Sequence, residues 1–220
     1  MKFWCVIPAA GRGTRFGGDH PKQFCLLQGQ SVLTQTVSRF LPHPDLAGIQ
    51  LVLPPGMAAP DDLPDDPRIQ FSQGGASRRD SVLSGCRDLL SSRQAAPADR
   101  VLVHDAARPL LPRADLQAVL EQMAHSAAYL VAPVADTLRD HAGQTLDRDQ
   151  IWRVLTPQGA GLGQLIQALQ STEAELTDEV AYLQQIGVQA QAVPGNPINQ
   201  KITWPADLRW ANSMINELDP

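Results

Sequence analysis

Apolar and polar positions along this chain switch between short continuous runs and helical spacing. The run from Phe3 to Pro8 predicts a buried strand, and it ends in a glycine-rich loop at 11–18. Residues 31–41 predict a helix capped by Ser31, with Val32, Thr36, Val37 and Phe40 near one face. Ile49 to Leu53 reads as a second strand stopped by Pro54-Pro55-Gly56. Residues 54–67, with five prolines and four aspartates, read as a surface loop. Ile69 to Phe71 is a third strand, followed by Gly74-Gly75 and a helix over 77–90. Val101 to His104 is a fourth, with Asp105 at its carboxyl end, and a helix over 113–125 and a strand over 129–134 come next. Late strands are expected at 188–193 and 201–203, the second running into a helix over 206–217 with Pro205 near its start.

Alternation of this kind predicts an α/β fold with a mostly parallel mixed sheet flanked by helices. In such sheets ligands bind beyond the carboxyl ends of the strands, where the glycine loop and Asp105 both fall. The 220 residues suit one domain, 1–220, large enough to bury a core without a disulfide or structural metal. Residues 136–150 are polar and turn-rich, so 134–153 reads as a protruding β-arm. An arm without its own core usually packs on a second subunit, which makes a homodimer the expected assembly.

Composition narrows the function classes. The net charge of −5 argues against broad contact with nucleic acid, yet a few cations in a cleft can still hold a small anion. The first apolar run is too short for a signal peptide or a membrane span, so no membrane partner and a cytoplasmic location are expected. Cys5, Cys25 and Cys86 form no CxxC pair, which leaves them as structural thiols, and no His/Cys cluster has zinc spacing. Of eighteen basic residues only Lys2, Lys22 and Lys201 are lysines, so Lys22 and Lys201 stand out as positions that call for a compact ammonium.

The loop itself reads PAAGRGTRFGG, then PKQF. Glycines after a strand let backbone N–H groups approach phosphate oxygens. A Walker loop fails because Asp19 follows Gly18, and a dinucleotide fingerprint fails because Phe16 stands where the third glycine belongs. What remains, GxGTR followed by PK, resembles the nucleotidyltransferase signature. A GxG turn by itself reads rather as a surface turn with solvated cations, and it is the combined spacing that favours the signature.

Further segments extend the likeness: GGASRRDSV, VHDAARP, then LTPQ with TDE. In order and spacing these resemble the 2-C-methyl-D-erythritol 4-phosphate cytidylyltransferases of non-mevalonate isoprenoid synthesis, from residue 3 to about 208. The resemblance implies a Rossmann-like nucleotidyltransferase domain that uses Mg2+, or another divalent cation, to join CTP to a polyol phosphate. It puts phosphate-gripping catalytic cations at Arg15 and Lys22. It gives CTP-binding roles to Ala9, Ala10, Gly11, Gly13, Gly75, Arg78, Ser81 and Lys201. Asp105 is implied as metal ligand and substrate contact, with Arg108, Thr156 and Thr177 as further substrate contacts. Thr137 and Arg148 would reach the polyol phosphate from the arm of a partner subunit.

Bland readings stand beside these. Arg78 and Arg79 could be a solvated helix face, Asp105 a capping residue, and Thr137 with Arg148 part of a plain surface hairpin. His104 reads as a satisfied, partly buried residue with no assigned chemistry. The sequence departs from the family pattern in three segments: at Ala76 where some relatives are acidic, at Gly159-Ala160 where an aromatic is usual, and at Gln200 within Asn-Gln-Lys. The competing functions are a ribitol-5-phosphate cytidylyltransferase, a nicotinamide-dependent oxidoreductase and a non-catalytic nucleotide-binding regulator.

Overall fold

Strand β1 (Phe3–Pro8) is the central ruler of the molecule. Its alternate residues feed opposite faces: Phe3, Cys5 and Ile7 join one apolar core, Trp4 and Val6 the other. Burial on both faces explains why the run is apolar throughout rather than alternating with polar residues. The chain is seen in a computed structural model that describes residues 2–11, 13, 16–17 and 21–218.

A small hairpin, β2 (Leu26–Leu27) with β3 (Gln30–Ser31), leads into α1 (Val32–Ser38). The Ser31 side chain accepts the Thr34 N–H at 3.1 Å, so the cap expected from sequence is the one used. Then come β4 (Leu46–Leu53), β5 (Ile69–Gln73), α2 (Arg78–Ser91), β6 (Arg100–Val103), α3 (Arg113–Gln122) and β7 (Ala127–Pro133). Two short antiparallel strands, β8 (Leu138–Arg139) and β9 (Thr145–Leu146), form a hairpin within the polar segment. The remainder is β10 (Trp152–Gly161), α4 (Leu162–Gln170), α5 (Glu179–Gln185), β11 (Ala190–Pro194) and α6 (Pro205–Met214).

The main sheet has seven strands in the order β11-β7-β10-β6-β1-β4-β5. Only β10 opposes the rest, pairing antiparallel with both β6 and β7, so the mostly parallel mixed sheet expected from the pattern is what forms. Helices α1 and α3 supply the core on one face, and α2, α4 and α5 the core on the other. Since β1 pairs with β4 on one side and with β6 on the other, chain order reverses at β1. Its carboxyl end is therefore the topological switch point where a ligand crevice opens.

Two sequence expectations need correction. The pattern assigns nothing between 151 and 187, yet β10 runs through the sheet there and α4 and α5 follow. Pro157, Gly159 and Gly161 disfavour a strand by propensity; the ladder with β7 is interrupted between Val154 and Gln158, which accommodates Pro157. Conversely, residues 201–203 are not a strand. They run beside the HDAARP loop with the Ile202 N–H bonded to the Ala107 carbonyl at 2.8 Å, and the Ile202 carbonyl goes to a lysine instead of a neighbouring strand.

Candidate active site

The glycine loop leaves β1 still tied to the sheet, with the Ala9 N–H bonded to the Val52 carbonyl at 2.8 Å. Beyond that point a buried side chain takes over. The Gln23 amide donates to the carbonyls of Ala9 at 2.7 Å and Gly11 at 2.8 Å, which fixes the loop from beneath. Gly13 has φ of +64°, the left-handed region that favours glycine, and lies against the Lys22 side chain. Lys22 opens a short 3-10 turn (Lys22–Phe24), and its ammonium donates to the Ile202 carbonyl at 2.6 Å. That bond holds the cation at the mouth of the loop and anchors the 201–203 segment in one contact.

Ala9, Ala10, Gly11, Gly13 and Lys22 line one side of a hollow of about 880 Å³. Gly75, Arg78 and Ser81 line another side, and Asp105 and Lys201 share the same space. Lys22 and Asp105 thus face one cavity. The second side is the amino end of α2, a 14-residue helix capped by Ser77, where exposed N–H groups and the helix dipole favour an anion. The Ser81 hydroxyl donates to the Ser77 carbonyl at 2.9 Å and accepts the Gly75 N–H at 3.2 Å, so the approach to the helix is tightly folded. A side chain at Gly75 would place its Cβ 2.4 Å from that of Asp80, which excludes one without backbone movement.

Charge is concentrated at Asp105. Its Oδ1 accepts Arg78 at 3.1 Å, while Oδ2 meets Lys201 at 2.9 Å and Arg108 at 3.3 Å. Arg78 is shared with Glu179, whose Oε1 lies 2.6 Å away. Burial opposes ionisation of Asp105, but Arg78, Lys201 and Arg108 outweigh it and hold the carboxyl well below the usual carboxylate range. Burial likewise pulls Arg78 down, and Glu179 and Asp105 more than reverse it. Three cations face two carboxylates, so this cluster keeps one net positive charge, and the Lys22 side chain lines the same hollow. Neither Asp105 oxygen is left for a metal, and among the described residues no group of three or more His, Cys, Asp or Glu could hold one. The donor set does not fit a divalent ion resident on the protein.

The residues assigned from sequence therefore divide. Ala9, Ala10, Gly11, Gly13, Lys22, Gly75, Arg78, Ser81, Asp105 and Lys201 come together on one hollow. Arg108 and Thr156 are buried and hold Asp105 rather than line the hollow: Arg108 bonds its carboxylate, and Thr156 Oγ1 accepts its backbone N–H at 3.1 Å. Thr177 is exposed and does not line the hollow; of its neighbours, Asp178 caps α5 and Glu179 is buried against Arg78. Thr137 and Arg148 are exposed on the hairpin segment and do not line the hollow of their own chain. The Arg148 guanidinium bonds the Ala135 carbonyl at 2.6 Å. Arg15 lies outside the described residues.

Gln23, Glu179 and Asn199 were not singled out from sequence, although each sits inside a recognised motif. The Asn199 amide donates to the Thr156 carbonyl at 2.8 Å, and its own backbone carbonyl accepts Arg108 at 2.8 Å, which ties the HDAARP loop and the Asn199 segment to β10 behind Asp105. Position within PKQF, TDE and NQK was the available signal. The three cysteines are free; Cys5 and Cys86 are buried, and burial pushes the thiol pKa up at all three. Among the described residues no helix is long and apolar enough to cross a membrane.

The family model for 2-C-methyl-D-erythritol 4-phosphate cytidylyltransferase matches residues 3–217. A relative of that name from Ectopseudomonas mendocina is 42% identical, covering 99% of this chain and 97% of its own. Another, from Xanthomonas axonopodis pv. citri, is 44% identical over 93% of this chain and 81% of its own. Among solved structures, the Thermus thermophilus protein of the same name superposes with a TM-score of 0.81 at 33% identity, covering 98% of this chain and 100% of its own. A 4-diphosphocytidyl-2C-methyl-D-erythritol synthase gives a TM-score of 0.84 at 32% identity, covering 97% and 98%. With the match running over nearly its whole length, this chain belongs to the 2-C-methyl-D-erythritol 4-phosphate cytidylyltransferase family.

Proposed function

We infer that the hollow at the end of β1 performs the reaction of this family, transfer of the cytidylyl group from CTP to 2-C-methyl-D-erythritol 4-phosphate with release of pyrophosphate. The observation that carries this reading is convergence: a glycine loop, the amino end of α2 and the cations Lys22, Arg78 and Lys201 meet on one cavity. A phosphomonoester has a second pKa of roughly 6 and is already an anionic nucleophile at neutral pH. The site therefore has no need of a general base. What it must overcome is repulsion between that dianion and the triphosphate. The loop N–H groups and α2 would receive the triphosphate, Lys22 would stabilise charge on the in-line α-phosphorus, and Lys201, set by Asp105, would orient the attacking phosphate.

Magnesium enters this reading as the companion of the triphosphate, since the carboxylate surroundings do not favour a protein-held ion. When bound it would neutralise part of the phosphate charge. The assay is pyrophosphate release. It is expected with CTP and methylerythritol phosphate together, with neither alone, and to stop on addition of a chelator. Preference for ribitol 5-phosphate, or CTP binding without release, would replace this reading with one of its rivals.

We also propose a homodimer through the hairpin. Leu146, Trp152 and Val154 are exposed apolar side chains on or just after it, at 38%, 52% and 41%, and a second copy would cover them. Thr137 and Arg148 would then serve the partner's polyol phosphate. Arg148→Ala is expected to raise KM for methylerythritol phosphate about tenfold or more with little change for CTP. Equal effects on both substrates would contradict the assignment.

A further inference from the structure

His104 is fully buried, edge-on to Phe40 with ring centroids 5.1 Å apart, and each of its ring nitrogens has a hydrogen-bond partner at 3.0 Å. Nε2 lies 3.0 Å from the Arg108 carbonyl oxygen. A carbonyl only accepts, so Nε2 carries a proton. Nδ1 lies 3.0 Å from Thr156 Oγ1. In a neutral ring with Nε2 protonated, Nδ1 is an acceptor, and the Thr156 hydroxyl must be its donor. The neutral form is the one this geometry favours: the ring is fully buried, and its partners at 3.0 Å are an uncharged carbonyl and an uncharged hydroxyl, so a charged ring would lack a counter-ion on either nitrogen.

The single Thr156 hydroxyl proton is thereby committed, and the same oxygen accepts the Asp105 N–H at 3.1 Å. The bonds run in one direction: Asp105 N–H to Thr156 Oγ1, Thr156 O–H to His104 Nδ1, His104 Nε2–H to the Arg108 carbonyl. The relay thus begins and ends on the two residues of the HDAARP loop that form the buried ion pair.

We propose that neutral His104 is a positioning residue, which fixes the backbone at Asp105 and Arg108 through Thr156 and so sets the carboxylate that gathers Arg78, Arg108 and Lys201. Thr156 then acts through Asp105, and its hydroxyl has no proton to give to a substrate. For its activity readout this rests on the cytidylyl-transfer reading; for the proton arrangement it stands on geometry alone.

Two measurements on the full chain test it. Nitrogen-15 imidazole spectra at pH 7 are expected to show His104 with Nε2 protonated and Nδ1 bare. A proton on Nδ1, alone or with Nε2, overturns the relay. The kinetic arm uses His104→Gln, which keeps a donor toward the Arg108 carbonyl but removes the acceptor for Thr156, together with Thr156→Val and the double variant. Each single change is expected to lower kcat about ten- to hundredfold, as misplacement by a fraction of an ångström does, with KM for CTP within about twofold. The double variant is expected to be no worse than the poorer single, since both break one bond. Losses that multiply, or a fall in Tm with kcat retained, would reduce His104 to packing. If the unmodified chain releases no pyrophosphate, the functional reading fails while the tautomer still decides the relay.

Discussion

Lys22→Ala is expected to lower kcat several hundredfold while the melting temperature moves little. The ammonium faces the hollow from the mouth of the glycine loop and donates to the Ile202 carbonyl at 2.6 Å. Loss of that charge-assisted bond, on a half-buried side chain that water partly screens, costs the fold about 1.5 kcal/mol. If Lys22 stabilises the developing phosphate charge as proposed, loss of that preorganised cation costs roughly 3–4 kcal/mol of barrier. The two effects differ enough to be separated by steady-state pyrophosphate release set against a thermal melt. Lys22→Arg is expected to recover only part of the rate. Gly13 packs against the Lys22 stem, so a Cβ at Gly13 would sit 3.4 Å from Lys22 Cγ, and a planar guanidinium does not place its charge at the same point. Full activity in Lys22→Ala would remove Lys22 from the chemistry.

Why Lys22 was legible in the sequence and Glu179 was not comes down to how each residue acts. Lys22 belongs to a contiguous loop whose glycines and spacing are dictated by close approach of backbone to an anion, and that demand leaves a local signature. Asp105 was readable for a similar reason, standing at the carboxyl end of an apolar strand. Glu179 acts on Arg78 across 101 positions of sequence, and Gln23 acts on carbonyls more than ten positions away. Such partners are chosen by tertiary packing, which hydrophobic periodicity does not encode. The same holds for β10. Its proline and glycines are tolerated because strands on both sides impose the extended conformation, so tertiary context overrides propensity. The 201–203 segment is the reverse case: it has strand-like residues but no neighbour offering a ladder.

Asp105→Asn is expected to damage both stability and rate, and pH separates the two. The carboxylate is the shared counter-charge of Arg78, Arg108 and Lys201. Without it the three cations confront one another, and among the described residues only Glu179 is left to pair Arg78. Breaking a buried pair of this kind costs about 3–5 kcal/mol. The low end, about 3 kcal/mol, is expected here because the Arg78 and Lys201 side chains are each 32% exposed and water screens them. The sign of the pH dependence follows from the depressed carboxyl. A group whose pKa is lower folded than unfolded stabilises fully above the unfolded value, about 3.9 for aspartate, and loses that contribution as pH falls through the folded value. Denaturant unfolding should therefore show the full deficit of the variant at pH 7 and a shrinking one below about pH 4, where the parent approaches the variant. Turnover at pH 7 should fall about a hundredfold, because Lys201 and Arg78 lose the anion that sets their spacing. A deficit independent of pH would mean that the lost stability lies in packing and not in the charge. Equal stability at pH 7 would mean that solvent already neutralises the cations and that the carboxylate does not organise the cleft.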